Sequence, residues 1–163
     1  MTICDLIKRD HDEVADAFDH LVLAARDDRR VEECARIASR LVALVRIHAR
    51  AEERVVYEAL RSASAPLKGF ALAGPHEHEN LDTTLDKLLV RRPGDDEYRV
   101  IVKVARDLFE MHARDEEEAE ILPLMASMLT EDELRTLASD MLEEQARIRP
   151  SVLRLAGMPA RAA

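Results

Sequence analysis

Six histidines occur in the chain, and four of them share one kind of setting. His11 lies in the stripe Ile7, His11, Val14, Phe18. His48 follows Leu41, Leu44 and Val45 and precedes Val55. His78 precedes Leu81, Leu85 and Leu88, and His112 follows Leu108. Residues three, four, seven and eight apart share a helix face. Each of these imidazoles therefore stands on the apolar stripe of its own segment. A carboxylate follows two of them at i+4, Glu52 after His48 and Glu116 after His112. One helical turn then presents a nitrogen donor and an oxygen donor on the same side.

A single His on an apolar stripe is usually a satisfied core residue. A single Glu there is usually an edge residue whose head reaches water. Four His and two Glu converging on one core are a different case, because unpartnered they lose hydration with no return. A metal cluster removes that cost, since neutral imidazole and carboxylate suit iron, manganese or zinc. The candidate metal set is His11, His48, Glu52, His78, His112 and Glu116. Its two carboxylates are spaced to bridge two ions, a recurrent design in helical bundles.

Neighbouring residues are weighed against that set. Glu117 follows His112 by five, and the stripe favours Glu116 inward, leaving Glu53 and Glu117 as supporting or surface groups. Tyr57 follows Glu52 by five and reads as a bundle-edge aromatic, with a donor or oxygen-ligand role as the alternative. His76 lies about 200° around a helix from His78, which argues against a shared ligand face, although it sits at the start of a helix. His20, nine residues after His11, reads as a surface histidine. No nucleophile motif, phosphate loop or thiolate pair supports a hydrolase or kinase.

The elements that must position these groups are helical. The 163 residues are 47% hydrophobic and 35% charged, with four Gly and no Trp, and the dominant Ala, Leu, Arg, Glu and Asp mostly favour helix over strand. Five amphipathic segments follow. The first runs from about 2 to 26 and the second from about 31 to 61. A loop rich in Ser, Pro and Gly, with an apolar patch of Leu67, Phe70 and Leu72, spans 62 to 75. A third helix starts near Pro75 and ends at Arg91-Arg92-Pro93-Gly94. The fourth runs from about 95 to 129, with Ile101, Val104, Ala105, Leu108, Ala119 and Leu122 inward and a kink at Pro123. Thr130-x-x-Glu133 is a capping box that opens a shorter fifth helix ending before Pro150. The expectation is an all-α, up-down-up-down four-helix bundle with a short additional C-terminal helix over 1–150 and a loose tail over 151–163.

Net charge is −9, which repels polyphosphate and argues against a nucleic-acid partner. Cys4 and Cys34 lack metal-type spacing and read as reduced thiols of a cytosolic protein. No apolar run nears membrane-spanning length, so no membrane partner and a cytoplasmic location are expected. The oligomeric expectation is a monomer or weak homodimer.

The pattern Asp10-His11, His48-x-x-x-Glu52-Glu53, Glu77-His78 and His112-x-x-x-Glu116-Glu117, followed by Ile121-Leu122-Pro123-Leu124, resembles the hemerythrin-like (HHE cation-binding) domain. The resemblance spans roughly Ile3 to Met128. It implies two iron ions, in preference to manganese or zinc, bridged by the two carboxylates and by an oxo or hydroxo group. O2-carrying hemerythrins have a His-x-x-x-His pair on the third helix. Here Gly74 stands four before His78, and Asn80 four after His76. Those carriers also place the fourth-helix carboxylate five after the His, at Glu117 here, whereas many relatives place it at four. The missing histidine favours a di-iron protein that binds or processes peroxide, O2 or NO, including catalase-like chemistry in oxidative or nitrosative stress. The alternative is a non-catalytic iron-binding or iron/oxygen-sensing domain.

Overall fold

Thr2 starts the first helix with a capping box. Its hydroxyl accepts from the Asp5 amide, and the Asp5 carboxylate accepts from the Thr2 amide at 2.8 Å, so two otherwise free donors of the helix start are satisfied. The computed structural model describes residues 1–63 and 65–158. Helix α1 spans Ile3–Ala24 and α2 Val31–Glu52. A π-helical turn, Glu53–Tyr57, leads α2 into short α3, Glu58–Leu60. Helix α4 spans Ala65–Val90 and α5 Asp96–Glu110. A longer π-helical stretch, Met111–Ile121, joins α5 to α6, Leu122–Met128, and α7 spans Glu131–Leu155. No strand occurs among the described residues.

Helices α1, α2, α4 and α5 each pack on the next, and α5 returns to α1. This is the all-α four-helix bundle the stripes require. Gly94, at φ +101°, makes the turn between α4 and α5 in a backbone region that L side chains rarely adopt. Two apolar clusters fill the bundle. One holds Val14, Phe18, Val45, Leu81, Phe109 and their neighbours; the other holds Ile7, Ala51, Val56, Ala71 and Ile121. Each helix passes from one cluster to the other at its histidine. The polar groups therefore lie in a layer between two dry ones.

Three boundaries differ from the sequence reading. Helix α4 begins at Ala65 rather than near Pro75, with Pro75 inside it. Leu67, Phe70, Ala71, Gly74 and His78 are one buried helical stripe, so the apolar patch assigned to a loop is the head of this helix. Leu72, on its outer side, is exposed. The helix continues although Pro75 denies the Ala71 carbonyl its usual donor. Helix α7 is long rather than short and passes through Pro150 to Leu155, burying Leu134, Ala138, Met141, Gln145, Ile148 and Val152. Its capping box at Thr130 and Glu133 is formed. The segment 151–155, read as loose tail, is helical, and residues 159–163 lie outside the described residues.

The third difference concerns the fourth bundle helix. Its buried face runs through Tyr98, Ile101, Val102, Ala105, Phe109 and His112, then Glu117, Ile121, Leu122 and Met125. Val104 and Ala119 face out and Leu108 is half-buried. In an α-helix, residue i+5 lies about 140° from residue i. The i→i+5 bonding of a π-helix widens the turn and brings it back toward the same face.

Candidate metal centre

Helix α1 supplies His11, α2 His48 and Glu52, α4 His78, and the second π-helical stretch His112 and Glu117. All six are buried, with Glu52 and Glu117 at 0% exposure. The histidine Nε2 atoms turn inward. Glu52 Oε2 stands 3.5 Å from His48 Nε2 and 3.5 Å from His78 Nε2. Glu117 Oε2 stands 3.3 Å from His11 Nε2 and 3.7 Å from His112 Nε2. Each carboxylate thus sits between two histidines of different helices.

The outer nitrogens face carboxylates. His11 Nδ1 pairs with Glu118 at 2.9 Å, His78 Nδ1 with Glu53 at 2.9 Å and His112 Nδ1 with Glu77 at 2.7 Å. His48 Nδ1 stands 3.5 Å from Asp10 Oδ2. Carboxylates on the outer nitrogen fix the tautomer, with the proton on Nδ1, and leave the Nε2 lone pair to point inward. This creates a conflict at His78 and His112, whose Nε2 atoms are 3.0 Å apart. Two lone pairs at that distance repel. Two nitrogens bound at right angles to one cation, each at about 2.1 Å, stand about 3.0 Å apart.

Further buried atoms lack hydrogen-bond partners in the same space. They are His11 Nε2, His48 Nε2, both oxygens of Glu52, both of Glu117, and Tyr57 Oη. Burial opposes charge on Glu52, but His48 beside it holds its carboxyl well below the usual range. Burial and then the Glu52 charge push Glu117 well above it. Burial opposes charge on His48 too, yet Glu52 and Asp10 outweigh it and raise the imidazole to about 10. Burial lowers His11 to about 4. Burying Glu52 and Glu117 face to face is costly even with His48 as the charge partner of Glu52, and a cation bound by both removes that cost. The donor set fits a metal. His11, His48 and Glu117 form one group able to hold an ion, and Glu52, His78 and His112 form another.

Glu116, expected inward, instead lies half-buried on the outer side with Glu77 and His112. Glu117 takes the inner place because the π-helical stretch moves i+5 onto the His112 face. His76 and His20 are exposed. Tyr57, expected at the bundle edge, has 0% exposure and stacks on the His78 ring at 5.6 Å. It follows Glu52 by five across the first π-helical turn, the same spacing that brings in Glu117. A Cβ placed on Gly74 would come within 2.5 Å of its Cε2, so the Tyr57 ring fills the space beside Gly74.

A four-helix bundle with inward His and Glu from facing helices is the architecture of carboxylate-bridged metal proteins. The hemerythrin HHE cation-binding domain matches residues 2–125, and the chain belongs to that family. No curated protein and no solved structure gives a significant match. Among the described residues no helix is long and apolar enough to cross a membrane.

Proposed function

We propose that the chain holds two iron ions and uses them to bind or process a small oxidant or gas: peroxide, O2 or NO. The observation that carries this reading is the pair of buried carboxylates, each between histidines of different helices. His11, His48 and Glu117 would hold one ion, and His78, His112 and Glu52 the other, with Glu52 and Glu117 reaching both. Imidazole with carboxylate suits iron, and family membership supports a cation at this place. Bound iron supplies redox chemistry and open positions for a small ligand.

The chain's own residues limit what reacts there. The donor atoms are buried, which favours a diatomic gas or peroxide over a larger substrate. A surface depression of about 280 Å³, lined by Arg46, Ala49, Glu53 and Pro75, reaches the His78 side. Tyr57 Oη, buried beside Glu52, would complete the ligand set or donate to a molecule held there. The missing second third-helix histidine favours peroxide processing, in a catalase-like manner, over reversible O2 carriage.

The test is metal quantification with an optical spectrum, followed by peroxide, O2 and NO additions. Two iron ions per chain, with bands that shift on peroxide addition and release of O2, support the reading. Bands that respond to none of the three point to iron storage or sensing. Purified protein with no transition metal refutes it.

A further inference from the structure

Helix α7 lies beyond the residues 2–125 that define the family, yet it touches the periphery of the metal centre. Gln145, on its inner face, is 5% exposed. Its Nε2 donates to Asp10 Oδ2 at 2.5 Å. That same oxygen faces His48 Nδ1 at 3.5 Å. The other Asp10 oxygen accepts from Arg9 Nη2 at 2.8 Å, and Arg9 is mostly exposed.

His48 therefore differs from the other three histidines. Glu118, Glu53 and Glu77 each form a short bond to their imidazole. Asp10 Oδ2 stands 3.5 Å from His48 Nδ1, an ion-pair distance rather than a hydrogen bond, so that nitrogen has no hydrogen-bond partner, and Asp10 is shared with a helix outside the bundle. A ligating imidazole must keep its outer N–H and needs an acceptor for it. Arg9 bonds Asp10 from the exposed side, and Gln145 bonds it from the protein interior.

We propose that Gln145 is a positioning residue of the metal centre: it holds Asp10 beneath His48 and so orients the His48 imidazole. Through it, α7 is a working part of the site rather than a lid on the bundle. The inference rests on the reading that His48 binds a metal ion.

The experiment compares metal-loaded wild type with Gln145→Leu and Gln145→Met, which keep the volume and lose the donor, and with Ile148→Ala, which loosens α7 and keeps Gln145. Iron release to a chelator, the optical spectrum and the melting temperature of the metal-free form are measured for each. Removing the partner of a ligating His typically weakens metal binding about 10–100-fold, and Gln145 acts on that partner, Asp10, rather than on His48 itself. Both Gln145 variants should release iron several-fold faster, up to about tenfold, with shifted bands. Ile148→Ala should lower the metal-free melting temperature and release iron at close to the wild-type rate.

Wild-type release and spectrum in a folded Gln145 variant overturn the proposal. So does an equal acceleration in Ile148→Ala, which would make α7 packing the cause. If neither Gln145 variant folds, the residue is structural and the positioning role falls. Wild type without metal overturns the proposed function itself, and this inference with it, whereas metal-bound wild type with unaltered Gln145 variants overturns the inference alone.

Discussion

Replacing Gly74 by Ala should destabilise the protein even though the site lies inside a helix. In a helix interior Ala is normally better than Gly by about 0.5–1 kcal/mol. Here the added methyl would lie 2.5 Å from Tyr57 Cε2, 2.6 Å from Cζ and 2.6 Å from the hydroxyl oxygen. The ring has nowhere to retreat. It is fully buried, its centroid is 5.4 Å from that of Phe70, and it stacks on His78. Overpacking of a filled core costs about 1–3 kcal/mol. The net effect is a loss of about 0–2.5 kcal/mol, centred near 1 kcal/mol, the overpacking cost less the helix gain.

Urea denaturation of the metal-free protein, followed by far-ultraviolet circular dichroism, reads this directly. The midpoint should fall by roughly 0.5–1 M. The decisive comparison is the same substitution in a Tyr57→Leu background. With the ring gone only the helix preference remains, and Gly74→Ala should then stabilise by about 0.5–1 kcal/mol. The effect thus changes sign with residue 57. The same sign in both backgrounds would refute the account of Gly74 as the space Tyr57 occupies. In the metal-loaded protein, Gly74→Ala should also shift the optical bands, because the ring it displaces is packed on His78.

Further outcomes follow from the same geometry. Glu117→Ala should weaken metal binding at least about tenfold, or ~1.4 kcal/mol, while Glu116→Ala stays close to wild type; metal titration separates them, and equal losses would contradict the inward place of Glu117. His112→Ala should lose metal and His20→Ala should not, as metal content after gel filtration will report. Stripping the metal should lower the melting temperature by about 10 °C or more, since a ligand at 1,000 times its Kd adds about 4 kcal/mol and each kcal/mol moves a chain of this size by about 2–4 °C. In the metal-free form the site groups pull stability in opposite directions with pH, and Glu117, raised well above the usual carboxyl range, loses its contribution as pH rises above about 4.5. His48, facing Glu52, Asp10 and His11, has a raised folded pKa of about 10, so its contribution is lost as pH rises from about 6.5 toward 10. His11, facing Glu118, Glu117 and His48, has a lowered value of about 4, so its contribution is lost as pH falls from about 6.5 toward 4. Urea midpoints across that range check this, and His48→Gln should flatten the alkaline limb.

The bundle and four histidines are readable because the α-helical period holds wherever it is used. From Ile7 through His11 to Phe18, and from Leu41 through His48 to Glu52, spacings of three and four put the right groups inward. The period fails at the fourth helix. Projecting it from His112 puts Glu116 inside, but the chain widens into a π-helix there and Glu117 turns in. The sequence carries a trace of this. Ile121, Leu122 and Met125 form an apolar stripe, and so do Ala105, Phe109 and His112; the run of threes and fours that joins them through Glu116 passes Ala119 and Leu122 but leaves Ile121 off the stripe. A slip of one residue across the acidic run reconciles the two. Glu52 to Tyr57 is the same slip at the first π-helical turn, and its buried tyrosine is missed for the same reason.

Proline misleads differently. Pro75 and Pro150 read as stops because each removes a helical hydrogen bond, but both lie on stripes that continue on either side: Leu67, Phe70, Gly74 and His78 around the first, and Met141, Gln145, Ile148 and Val152 around the second. Burying those stripes outweighs one lost bond at each site. For α7 the demand comes from its partner. From Leu41 to Val45 every residue of α2 is buried, and so are Ile47, His48 and Ala49. A bundle helix with three apolar sides cannot be covered by α1 and α4 alone. Ala43 and Ile47 meet Val152 and Leu153 of α7, so the excess of apolar residues on α2 is the sequence feature that calls for a long fifth helix. The same packing brings Gln145 within reach of Asp10. A short appendage ending before Pro150 would lack Val152 and Leu153, and the helix that presents Gln145 would lose its anchor beside His48.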